Sequence, residues 1–88
     1  MTRNVRLTRP REAMPADVRH ALVARGLLGA FRTRPAYQQN DYLGWVARAR
    51  LPATRARRLA QMLDELARGD RYMKMTYRPK RVRRPRRR

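Results

Sequence analysis

Guanidinium groups are the commonest side chains able to do chemistry in this 88-residue chain: arginine and lysine together number 24, only two of them lysine, against six acids, a formal net charge of +18. The densest run is RPKRVRRPRRR, residues 78 to 88, in which Arg78, Lys80, Arg81, Arg83, Arg84, Arg86, Arg87 and Arg88 are basic and no residue is acidic. Pro79 and Pro85 space these charges and favour an extended, polyproline-like track able to follow a phosphate backbone. Binding of that kind releases counterions and weakens steeply as salt rises. RRPRRR is similar to the minor-groove AT-hook but lacks its glycine. Anionic lipid and a purely solubilising role are the alternatives for such a tail. Arg55, Arg57 and Arg58, in the run TRARR, form a second basic group with two readings. They can clamp phosphates, with the Thr54 hydroxyl adding a contact. Alternatively, helical spacing puts Arg55 and Arg58 on one side, where their stems cover the edge of a core and their heads meet Asp41, Asp64 or a helix C-terminal carbonyl.

Other chemistries are poorly supplied. The chain has no cysteine and no serine, and its one histidine, His20, stands beside Arg19 in a helical segment. A nucleophile needs a base held by a third group, and a metal site needs several converging ligands. The expectation is a protein that is not an enzyme and carries no cofactor or metal. Tyr42 and Trp45 could stack on unpaired bases, but they share a helical face with Val46 and Ala49, which assigns them to a core. Tyr72 and Tyr77 flank the tail and are freer to stack.

Charge is unevenly placed along the chain. All six acids, Glu12, Asp17, Asp41, Asp64, Glu65 and Asp70, lie between residues 12 and 70, where ten arginines leave a net of +4. The excess sits at the two ends, with Arg3, Arg6, Arg9 and Arg11 in the first eleven residues and ten basic residues after Asp70. Three segments follow: a basic arm over 1–12, a helical domain over 13–70 and a basic Arg/Pro-rich tail over 71–88. Residues 1 to 12 and 78 to 88 contribute little to a core and are expected to be disordered. No stretch has the roughly twenty apolar residues of a membrane span, and the first residues lack the apolar run of a secretory signal. A soluble, cytoplasmic protein is expected.

Within the middle segment the apolar spacing is helical. Pro15 and Asp17 open a first helix with Val18, Ala21 and Leu22 on one face, and Gly26 ends it. Leu27, Leu28 and Phe31 offer an extra short helical turn before Pro35. Tyr42, Trp45, Val46 and Ala49 mark a second helix, in which Gly44 hints at a close backbone neighbour. Pro52 opens a third, with Leu59, Met62, Leu63 and Leu66 at i, i+3, i+4, i+7, Asp64 in reach of Arg68, and Gly69 as the stop. Residues 72 to 77, YMKMTY, are the sole strand candidate and are too short and isolated to predict a sheet. The predicted fold class is all-α, a small three-helix bundle with room for an extra short turn.

Residues 41 to 69, DYLGWVARARLPATRARRLAQMLDELARG, resemble the C-terminal helical domain of the YdeI/OmpD-associated protein family. Tyr42, Trp45, Ala49, Pro52, the TRARR run and the Met62-Leu63 to Gly69 ending carry the likeness, and MPADVRHALVARGLLGAF upstream is similar to that family's first helix. The resemblance implies an all-helical bacterial domain linked by family name to bacteriocin protection and a porin, with no established reaction. Charge and resemblance point to two functions. One is a nucleic-acid-binding protein, nucleoid- or ribosome-associated, that grips DNA or RNA through phosphates with little sequence discrimination. The other is a protein-interaction or stress-protection module in which the bundle meets a protein partner and the tail serves only localisation.

Overall fold

Prolines and glycines punctuate the chain, and the helices fall between them. In the computed structural model, which describes residues 11–78, α1 runs Ala16–Ala24, α2 Leu28–Thr33, α3 Ala36–Ala47 and α4 Pro52–Arg68. A two-stranded antiparallel hairpin follows, β1 (Arg71–Tyr72) and β2 (Met75–Thr76), with Arg71 opposite Thr76 and Tyr72 opposite Met75. Pro15 and Pro35 cap α1 and α3 in extended backbone, and Pro52 occupies the first turn of α4. At all three places a missing N–H leaves no helical hydrogen bond unmade. Past the end of α1, Gly26 at φ 69° lets its own N–H reach the Val23 carbonyl (3.0 Å) and that of Leu27 reach the Leu22 carbonyl (2.8 Å), which is a Schellman ending. Gly69, at φ 82°, ends α4 with its N–H on the Glu65 carbonyl at 2.9 Å.

The core is one cluster drawn from all four helices: Val18 and Leu22 of α1, Phe31 of α2, Tyr42, Leu43 and Val46 of α3, and Met62, Leu63 and Leu66 of α4. The helical faces expected from spacing are the faces that are buried, with Ala21, Trp45 and Leu59 at the margin. Each fully buried aliphatic side chain contributes roughly 1.5–3 kcal/mol relative to exposure.

The observed fold is mostly helical but departs from a three-helix bundle in two ways. The extra turn is a helix in its own right, α2, which carries Phe31 into the core. Residues 71–76 form a hairpin where no sheet is expected, and it is not isolated. Tyr72 and Met73 lie against the core cluster, and the Tyr77 N–H donates to the Asp70 carbonyl at 2.9 Å. The short strands gain from α4 the support that a lone hairpin lacks in water. Gly44 also differs from expectation. The nearest atoms that a Cβ there would meet belong to a side chain, the Arg48 guanidinium, with Nη2 at 2.7 Å and Nη1 at 2.9 Å. Arg68 pairs with Asp70 (3.4 Å) in place of Asp64. Of the arms expected to be disordered, residues 11, 12 and 78 are described, and the Glu12 N–H donates to Asn40 Oδ1 at 2.6 Å; residues 1–10 and 79–88 lie outside the described range.

At Gly69 a Cβ would have open space around it, so the cost of a side chain there is purely that of holding a left-handed backbone. Gly69→Ala should therefore lower stability in urea unfolding by about 1 kcal/mol. An unchanged midpoint would show that this φ is not required.

Candidate functional site

Two adjoining features occupy the side of the domain where α3, α4 and the hairpin meet: a buried carboxylate and a basic groove. The carboxylate is Glu65, buried among the apolar residues of α4. It lies three residues after Met62 and one before Leu66, so the helix turns it inward with them. Its Oε1 accepts from the Tyr42 hydroxyl (2.6 Å) and the Met73 N–H (2.8 Å), and its Oε2 from the Gln61 amide (3.1 Å) and the Lys74 N–H (2.7 Å). Four donors satisfy one buried acid, the condition under which a buried charge is tolerated.

Two of those donors are the central amides of the hairpin turn. Met73 and Lys74 have φ of 52° and 69°, the left-handed region of a two-residue type I′ turn, where Asn-Gly is the usual pair. Neither residue favours that backbone by itself. Glu65 supplies the compensation by accepting from both amides. Around it, Arg34 is buried with Nη1 on Gln38 Oε1 (2.9 Å) and Nη2 on the Glu65 main-chain carbonyl (3.1 Å), and its guanidinium lies over the Tyr77 ring at 4.8 Å. Tyr72 packs edge-on against both Tyr37 and Tyr42 and donates to Asp41. Burial first, and then the hydrogen bond to Glu65, push the Tyr42 hydroxyl well above its ordinary pKa.

The TRARR run is divided in its loyalties. Arg55 makes a two-pronged pair with Asp17 of α1, Nε to Oδ2 and Nη2 to Oδ1, both at 3.0 Å, and reaches the Val46 carbonyl at 3.4 Å. That guanidinium holds the Asp17 carboxyl below its ordinary value. Arg58 donates to the Trp45 carbonyl (2.8 Å) and stacks over the Trp45 ring at 5.3 Å. Both heads thus close carbonyls near the C-terminus of α3, as the structural reading expects, but the acid partner is Asp17 in place of Asp41 or Asp64. Arg57 is exposed and has no such partner among the described residues.

Arg57 and Arg58 line the groove, which has a volume of about 510 Å³ and is completed by Trp45, Thr54, Gln61 and Lys74. Thr54, Arg57, Arg58 and Gln61 stand at i, i+3, i+4, i+7 and so form one stripe of α4. Of the tail candidates, Arg78 is described and exposed; Lys80, Arg81, Arg83, Arg84, Arg86, Arg87 and Arg88 lie outside the described residues. Glu65, Arg34 and Lys74 were invisible as site residues in the sequence. The one available signal was an acid on the apolar stripe of α4.

The model of the family described as bacteriocin-protection, YdeI or OmpD-associated matches residues 13–69. The chain belongs to that family. The matched stretch takes in all four helices, Glu65 and the TRARR run, and the hairpin lies beyond it. Comparison with curated proteins and with solved structures gave no significant match. In this YdeI/OmpD-associated domain no group of three or more His, Cys, Asp or Glu that could hold a metal occurs among the described residues. Among them, too, no helix is long and apolar enough to cross a membrane.

Removing the Glu65 acceptor strands the Tyr42 hydroxyl and two turn amides. Glu65→Gln, which turns a donor toward donors, should cost about 2 kcal/mol and Glu65→Ala about 3 kcal/mol or more in urea unfolding. The Met73 and Lys74 amides should lose their hydrogen-exchange protection in both variants. Stability within experimental error of the parent would remove Glu65 from this role. Alkali should act through Tyr42. Its raised value means that the folded chain keeps a proton the unfolded chain releases near pH 10. The stabilisation is therefore complete below about pH 10 and is lost as pH climbs from there toward the raised value. In a tyrosinate absorbance titration Tyr42 should ionise last, together with unfolding, and Tyr42→Phe should abolish that late step.

Proposed function

We propose that this chain is a non-enzymatic protein-interaction module of the YdeI/OmpD-associated type, acting in the cytoplasm, with its basic tail used for localisation. The observation that carries this reading is the family match over residues 13–69, which takes in the helical domain and leaves the Arg-rich tail outside. What members have in common is then the domain, and a function they share resides on its surface. The family description links it to bacteriocin protection and to association with the protein OmpD.

The way the fold uses its reactive groups supports the reading. The sequence has no serine or cysteine, and His20 is exposed on α1. The acids are committed to the architecture: Glu65 to the hairpin turn, Asp17 to Arg55, Glu12 to Arg48, Asp70 to Arg68 and Asp41 to Tyr72. Few carboxylates remain for general acid or base work, which needs a group free to exchange its proton with a substrate.

A second reading rests on charge. Eight basic residues among residues 78–88 suit a nucleic acid held through its phosphates, DNA or RNA. The two readings separate on deletion of residues 78–88. The full and shortened chains are compared in bacterial survival under bacteriocin challenge, and in binding to duplex DNA and structured RNA across a salt series. Protection that persists without the tail, while polymer binding is lost, is the expected result. Loss of protection together with binding would give the function to the tail and end the module reading.

A further inference from the structure

We propose that the groove formed by α3, α4 and the hairpin turn binds a phosphate group. Three elements distant in sequence build it: Trp45 at the end of α3, the stripe Thr54, Arg57, Arg58 and Gln61 on α4, and Lys74 in the turn. It thus differs from a run of charges on one solvated helix face. Three of the residues lining it are cationic and none is acidic. Arg57 and Lys74 pair with no carboxylate among the described residues, whereas Arg48, Arg55 and Arg68 each have one.

The cations are also held in place to different degrees, as a binding site requires. Arg58 is fixed by the Trp45 carbonyl and ring, and a guanidinium has five N–H donors, so others remain for a ligand. The main chain at Lys74 is fixed because its N–H is bound by Glu65 at 2.7 Å. Gln61, anchored to the same carboxylate through Nε2, still has its second amide hydrogen, and Thr54 has a hydroxyl. Guanidinium, ammonium, hydroxyl and amide donors around a space of about 510 Å³ suit a tetrahedral dianion, since phosphate oxygens accept several charge-assisted hydrogen bonds at once. That volume exceeds the needs of free phosphate and leaves room for the group that carries it. The phosphate could be that of a soluble ester or of a lipid headgroup, and the test distinguishes the two.

The chain has a single tryptophan, and it lines this groove, so its fluorescence reports the site without a label. The full chain is titrated with inorganic phosphate against chloride at matched ionic strength, and with phosphatidylcholine vesicles containing or lacking phosphatidic acid. The expected result is a saturable change in Trp45 emission with phosphate and none with chloride. The double variant Arg57→Gln, Lys74→Asn should weaken it by about tenfold or more; asparagine tolerates the left-handed backbone at residue 74. Arg19→Gln, Arg25→Gln removes the same charge from exposed positions outside the groove and should leave it unchanged. A response confined to phosphatidic acid vesicles, and lost in the groove variant alone, would place the phosphate on a lipid headgroup. Equal responses to phosphate and chloride, equal weakening by both double variants, or no response to either phosphate source would overturn the proposal. The readout is local to Trp45, so it can fail while the interaction module stands, and the reverse.

Discussion

A buried carboxylate cannot be left half satisfied, and most of the tertiary arrangement on one side of this domain follows from meeting the needs of Glu65. The acid sits on the inward stripe of α4, where its desolvation would be severe without donors. A hydroxyl from α3, an amide from its own helix and two main-chain N–H groups from the hairpin turn converge on it. Three separate elements are thereby brought into register by one side chain. The same acid lets Met73 and Lys74 hold a left-handed turn that neither residue favours intrinsically.

The arginines divide into those that build and those that face outward. Arg34 is inside, with its guanidinium between the Gln38 side chain, the Glu65 carbonyl and the Tyr77 ring. Arg55 and Arg58 close the end of α3, where the last carbonyls lack the i→i+4 partner of a continuing helix and a cation complements the negative end of the helix. A chain with so much positive charge spends part of it on its own carbonyls and aromatic rings, which lowers the self-repulsion that the total would otherwise impose. Arg57 and Lys74 are among the cations not spent in this way, and they stand on the same groove.

Much of the scaffold was legible because its signals are local. Pro15, Pro35 and Pro52 mark starts and Gly26 and Gly69 mark stops through backbone geometry alone, and the Leu59, Met62, Leu63, Leu66 stripe needs only the helical period. The site was less legible because it depends on partners far apart in sequence. Arg34 reads as one surface arginine among many until α4 is laid against α2. The pairing of Arg55 with Asp17 joins residues 38 apart and requires α1 to lie beside the start of α4. The hairpin lacks both the Asn-Gly turn and the alternation that identify such elements, since its acceptor lies on another element. Glu65 itself reads as one of the six acids of the middle segment, although its position between Met62 and Leu66 turns it toward the apolar side.

The hairpin also decides how load enters the domain. The chain leaves β2 through Thr76, Tyr77 and Arg78, and Tyr77 is clamped by its N–H on Asp70 and by the Arg34 guanidinium over its ring. Tension applied beyond Arg78 therefore falls first on this clamp and on the two short strands, which would part like a zipper, one rung after the other. Behind them the Glu65 bonds to the turn form a second stop before α4 feels any strain. A pull on the chain beyond Arg78 is thus separated from the helical core by a few sacrificial contacts.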